Sequence, residues 1–176
     1  MSVRRILKLG DPLLRRRSVD VPLTELRSKE IKNLIRDLRD TMKDAGGIGL
    51  AAPQIGVLKR VVIVGFEKSE RYPDQKGIEE RVLINPEIEA LDGPGEGFWE
   101  GCLSIPGMRG FVERPRKIKL SFYDTDENRH EEIIEGFDAV VYQHECDHLD
   151  GMLYVDRLKD PTMFGFEPEL KEASGG

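Results

Sequence analysis

Two of the chain's three histidines stand four residues apart, in QHECDHLDG from Gln143 to Gly151. On a helix that spacing puts both on one face, a turn apart. His144 and His148 can then offer two imidazoles to one metal ion. Glu145 would stand beside them as a carboxylate that takes a proton from water, the mechanics of an H-E-x-x-H pattern. The competing reading is an ordinary helix face with two surface histidines. The scarcity of histidine elsewhere and the match to a known ligand geometry weigh against it. Two ligands do not hold a catalytic metal well, so a third has to come from another part of the chain.

In one metalloprotease class the third ligand is a histidine just downstream, after a glycine turn. Here Gly151 is present, but Tyr154 occupies the ligand position. Glu167 and Glu169 lie farther on, in a tail flanked by proline and glycine. Upstream, Cys102 sits in WEGCLSIPG. A thiolate with two imidazoles is an open catalytic set, and the surrounding glycines let backbone approach an ion. On spacing alone Cys102 reads equally as a ligand or as a small buried cysteine. Cys146 lies two residues after His144, about 200° around a helix at about 100° per residue. It faces away from the ligand stripe and reads as packing.

The whole chain limits what such a site can serve. Its 176 residues carry a net charge of -6, with 39% hydrophobic and 34% charged residues. That fits one domain with a core, spanning 1–176. It argues against a general phosphate-backbone binder, which relies on positive patches. The basic runs Arg15–Arg17 and Arg114–Lys119 read as solvated faces or loop charges. Two cysteines are too few for a secreted disulfide framework and suggest a reducing cytosol. No apolar run approaches the roughly 20 residues of a membrane helix, and no secretory leader is legible.

The elements that must position the candidate ligands follow from periodicity. GDPLL near the start reads as a turn. Ile31, Leu34, Ile35, Leu38 and Met42 form one apolar helical stripe, with Thr24 or Ser28 as cap and Gly46–Gly47 as stop. KRVVIVGF reads as a buried strand. EKSERYPDQKGIEE reads as an exposed loop, and RVLINPEIEAL as a strand bent or ended near Pro86. DGPGEGFWEGCLSIPG is glycine-rich and reads as irregular. RGFVERP and RKIKLSFYD read as strands, the second forming a hairpin with EEIIEGF across TDENRH. A helix is expected from near Asp138 to about Leu149, closed by Gly151. The tail from about 165 is expected to fray. The class is α+β with mainly antiparallel sheet.

Three segments taken together resemble peptide deformylase: GIGLAAPQ from Gly47 to Gln54, EGCLS from Glu100 to Ser104, and QHECDHLDG. The likeness runs from GDP near the N-terminus to DRL near Leu158. It implies antiparallel sheets packed around a central metal-binding helix that carries H-E-x-x-H, with Cys102, His144 and His148 as metal ligands. It also implies Glu145 as the general base that later protonates the leaving amine. The Gln54 side-chain amide and the Leu103 backbone N–H are implied as donors to the formyl oxygen. The substrate-binding positions the resemblance implies are Gly47, Ile48, Gly49, Phe98, Glu100, Gly101, Arg109, Phe137, Val140 and Val141. Gly49 and its neighbours resemble a strand that pairs with substrate backbone. Phe137, Val140, Val141 and His144 follow helical spacing, an apolar stripe leading to the metal. Arg114 and Asp147 occupy positions of a supporting ion pair.

The implied reaction removes the formyl group from the N-terminal methionine of new polypeptides and releases formate. The implied partner is the formyl-Met nascent chain in a bacterial-type cytoplasm, with transient ribosome contact, no membrane and no specific nucleic acid. Ligand chemistry alone suggests zinc; the resemblance implies ferrous iron for activity, with zinc, nickel or cobalt able to substitute. Two departures stand out: Pro53 precedes Gln54, where it can stiffen the loop, and bulky Phe98 and Trp99 flank the site. The alternative is an H-E-x-x-H zinc endopeptidase with a downstream third ligand and no role for Cys102.

Overall fold

The computed structural model describes residues 2–70 and 72–173. The apolar stripe does form a helix, α1 (Lys29–Asp44). Ser28 Oγ accepts the Ile31 N–H at 3.2 Å and caps it, and Gly46 (φ +61°) turns the chain out of it. Before α1, Asp11 caps a single turn over Pro12–Arg15. After it come β1 (Gly49–Ala51), a tight turn over Ala52–Ile55, β2 (Val61–Phe66) and β3 (Ile78–Ala90). Then follow β4 (Pro94–Cys102), β5 (Ile105–Pro115), β6 (Lys117–Tyr123) and β7 (Arg129–Glu135). Helix α2 (Gly136–Leu149), β8 (Phe164–Phe166) and α3 (Glu167–Ala173) complete the described chain.

The strands make two antiparallel sheets, one in the order β1-β2-β3-β6-β7 and one in the order β4-β5-β8. The large sheet is covered on both faces, which explains the unbroken apolar run of β2. Val61 and Ile63 face α1 and pack with Leu34, Leu38 and Met42. Val62 and Val64 face the other way and pack with Ala139, Val141 and Leu149 of α2. Ten of the fourteen α2 residues are buried, His144, Glu145 and His148 among them. A third apolar cluster, of Cys102, Ile105, Val112, Leu153 and Tyr154, joins the small sheet to the turn after α2. Strand β3 shifts register between Ile84 and Glu87, as the proline suggested. There Asn85 exchanges two 2.8 Å hydrogen bonds with the Val21 backbone.

Three expectations are corrected. The glycine-rich stretch before Cys102 is not irregular but forms β4, paired along β5. Its glycines serve packing: a Cβ on Gly97 would sit 2.1 Å from the Phe111 ring. Helix α2 starts at Gly136 rather than near Asp138, because Gly136 (φ +69°) turns β7 directly into the helix. The tail does not fray from 165. Strand β8 pairs with β5 through Met108, Arg109 and Gly110. Phe164 packs on Tyr154 at 6.3 Å between ring centroids, and Glu167 of α3 reaches Arg109 at 3.3 Å. Residues 174–176 lie outside the described chain. Among the described residues no helix is long and apolar enough to cross a membrane.

Candidate active site

Helix α2 presents His144 and His148 on one face, with ring centroids 5.3 Å apart. The end of β4 brings Cys102 to the same point. Cys102 Sγ lies 3.3 Å from His148 Nε2, and one donor atom from each of the three residues falls within 4.8 Å of the others. Around a tetrahedral ion with metal–ligand bonds of about 2.0–2.3 Å, donor atoms stand about 3.3–3.6 Å apart. The set therefore fits one ion with an open fourth position. Burial pushes the Cys102 thiol up, but His148 and His144 outweigh it and hold Cys102 well below the ordinary thiol range. Burial lowers His144, and Cys102 and Glu100 together raise it well above the ordinary histidine value. The cysteine is thus held toward the thiolate by the two imidazoles beside it.

The two histidines are held differently. His144 Nδ1 meets Glu100 Oε2 at 2.7 Å. Among the described residues, His148 Nδ1 is buried with no hydrogen-bond partner. Glu100 is in turn gripped by Arg114 at 2.5 and 3.0 Å, and Arg114 reaches Asp147 of α2 at 2.8 Å. Burial disfavours the Glu100 charge, yet His144 and Arg114 outweigh that and keep its carboxyl below the usual range. The Arg114–Asp147 pair is buried, so breaking it leaves an uncompensated charge.

Gln54 approaches from the turn after β1. Its Oε1 accepts the Ala51 N–H at 2.8 Å, which fixes the amide so that Nε2 points to Cys102 Sγ (3.5 Å) and Ser104 Oγ (3.2 Å). Pro53 lies in the first turn of the same short helix. Glu145 projects toward β1: a Cβ on Gly49 would stand 2.5 Å from its Oε1. Leu103 follows Cys102 at the β4–β5 turn, and its carbonyl accepts from Lys8 Nζ at 2.7 Å.

A cavity over this cluster is lined by Ile48, Gly49 and Gln54 on one side, and by Phe98, Glu100, Gly101, Cys102 and Leu103 on another. Phe137, Val140, Val141, His144 and Glu145 of α2 close it. Two expected positions are not in its walls. Gly47 lies behind Leu103, whose Cδ1 a Cβ would meet at 2.7 Å. Arg109 lies on the outer side, its guanidinium 4.8 Å from the centroid of the Tyr72 ring. Tyr72 itself escaped the sequence reading because it falls in a polar loop. Its ring packs on Phe98 and Phe137 at 5.8 and 5.3 Å, and its hydroxyl accepts the Gly101 N–H at 3.3 Å. Among the described residues, no side chain downstream of His148 joins the Cys102, His144 and His148 set. Tyr154 stacks on the His144 ring at 6.0 Å, and Glu167 is engaged with Arg109. Cys146 is a buried free thiol, raised by burial, and takes no place in the ligand set.

The chain as a whole is similar to known proteins. Residues 3–163 match the family model described as polypeptide deformylase. A peptide deformylase of Leptospira biflexa is 55% identical over 174 residues, covering 98% of this chain and 97% of that protein. Peptide deformylase 2 of Bordetella bronchiseptica is 51% identical over 168 residues, covering 96% and 94%. The class I type b peptide deformylase of Acinetobacter baumannii, solved with Met-Ala-Ser bound, superposes with a TM-score of 0.83 at 38% identity. That alignment covers 90% of this chain and 100% of the other. With the ligand set, the glutamate beside it and a match along nearly the whole chain in agreement, the zinc-endopeptidase reading is set aside: the chain belongs to the polypeptide deformylase family, hydrolases that remove the formyl group from nascent polypeptides.

Proposed function

We propose that residues 1–176 act as one catalytic domain that deformylates N-terminal formylmethionine, with α2 as the central metal-holding helix. The observation that carries this reading is the convergence of the Cys102, His144 and His148 donor atoms within 4.8 Å, with Glu145 next in sequence to His144. Cys102, His144 and His148 hold one divalent ion. Ferrous iron is favoured for activity, and zinc, nickel or cobalt can occupy the same donors. When bound, the ion polarises the formyl carbonyl and lowers the pKa of water beside it.

The remaining work belongs to side chains and backbone. Glu145 takes a proton from the attacking water on a carboxylate oxygen and passes one to the departing methionine nitrogen. Gln54 Nε2 and the Leu103 N–H hold the formyl oxygen as it gains charge, and the Ala51 bond to Gln54 Oε1 keeps that donor aimed. Strands β1 and β4 are each the edge of their sheet, and both border the cavity. A formylated chain laid between them pairs as an added strand, with Ile48, Gly49, Glu100 and Gly101 nearest. The methionine side chain enters the apolar wall made by Ile48, Phe98, Phe137, Val140 and Val141. Gly47 and Arg109 act one layer out. The setting is a bacterial-type cytoplasm, with transient contact at the ribosome as the nascent chain emerges.

The test is formate release from formyl-Met-Ala-Ser by protein prepared without oxygen and loaded with ferrous iron, beside Glu145→Gln at equal metal content. Turnover by the first and its loss in the second is the expected result. No turnover at full metal occupancy would overturn the reading.

A further inference from the structure

Beyond the cavity, one charged side chain connects to a metal ligand through an unbroken series of ion pairs. Arg157 follows α2 in a short turn over Tyr154–Arg157. It donates Nε and Nη2 to the two oxygens of Asp147, both at 2.6 Å. Asp147 Oδ2 also accepts from Arg114 Nη1 at 2.8 Å. Arg114 grips Glu100 with Nε and Nη2, and Glu100 Oε2 meets His144 Nδ1 at 2.7 Å. The side chains of Arg114 and Glu100 are 2% and 3% exposed, and Asp147 is 12% exposed, whereas Arg157 is 38% exposed. The series therefore starts in water and ends on a ligand.

We propose that Arg157 is a positioning residue for His144, acting through Asp147, Arg114 and Glu100; this rests on His144 being a metal ligand. The argument is a balance of charge. Two arginines and two carboxylates alternate and cancel. Without Arg157, Asp147 has only Arg114 to neutralise it, and Arg114 must divide itself between two buried carboxylates. Its two-bond hold on Glu100 loosens, and Glu100 loses the orientation that fixes the His144 ring. His148 has no such link, so the disturbance enters the site through one ligand. Arg157 is not in the cavity wall, so substrate affinity is left alone.

Partners of metal-binding histidines change metal affinity by roughly 10–100-fold when removed, and a residue three pairs beyond such a partner belongs near the low end. Arg157→Ala is expected to release cobalt to a chelator about tenfold faster, to shift the visible absorption of the cobalt-loaded protein, and to lower kcat with KM unchanged. Arg157→Lys keeps the charge and should recover part of each effect. In an Asp147→Asn background the charge to be balanced is gone, so adding Arg157→Ala should change nothing further. Lys159→Ala, which removes a separate surface pair with Glu113, serves as control. Wild-type release rate, spectrum and kcat in Arg157→Ala would overturn the proposal, as would an undiminished Arg157→Ala effect on top of Asp147→Asn. Failure of the wild-type protein to bind cobalt or release formate would instead overturn the underlying reading of the site.

Discussion

Gly49→Ala tests the placement of the base more sharply than removal of the base itself. A Cβ at residue 49 would stand 2.5 Å from Glu145 Oε1 and 2.7 Å from both Cδ and Cγ. Carbon atoms rest at about 3.5 Å or more, so the side chain has to retreat by about 0.8 Å. Glu145 is buried, and the contact with Cγ means that turning the carboxylate alone does not relieve the clash. A misplacement of about 1 Å in a reacting group costs on the order of 100-fold in rate, which equals about 2.7 kcal/mol of barrier. The three metal donors lie on other atoms, so metal content should stay at the wild-type value. The assay is kcat for formate release at saturating formyl-Met-Ala-Ser, with metal measured on the same sample. A Gly49→Ala protein within threefold of wild type at equal metal would refute the inference that the Gly49–Glu145 approach sets the base.

Arg114→Met removes the buried cation that Glu100 and Asp147 share, and should cost about 3–5 kcal/mol of stability, read from urea unfolding. Acid should expose the same group. Glu100 and Asp147 both have carboxyls held below their usual range. Their contribution is complete above the unfolded values of about 4 and is lost as pH falls through the lower folded ones; a thermal midpoint that stays flat below about pH 4 would contradict it. Cys102→Ala should abolish stoichiometric metal binding. Cys146→Ala should retain it in full, and equal metal content in the two variants would undo the assignment of ligands.

The long periodic elements were legible because local pattern and final burial agree. The α1 stripe and the apolar run of β2 lie against the core as their sequences suggest. Strand β4 was hidden because glycine weakens a strand locally, while here its lack of a side chain admits the Phe111 ring from the paired strand. Strand β8 was hidden because three residues make a strand only against a distant edge, that of β5. At the site, the four-residue spacing of His144 and His148 is a local fact and was readable. Cys102 was not, since only the folding of β4 against α2 brings it near, and resemblance rather than spacing decided it. Tyr72 gave no signal, being an ordinary polar-loop residue until the chain is folded, and Arg157 stood only in the DRL that bounds the resemblance, with no role attached.

Helix α2 leaves little room for neutral drift. Ten of its fourteen residues are buried, and it has no solvent face on which substitutions are cheap. It packs on the large sheet, closes the cavity and carries both Asp147 and His144 of the ion-pair series at once. Variants that alter inhibitor response or thermal tolerance should therefore accumulate elsewhere, on the polar face of α1 and, Tyr72 apart, in the exposed stretch between β2 and β3. A library aimed at changing this enzyme without losing it is best built on those two surfaces, with the fourteen residues of α2 held fixed.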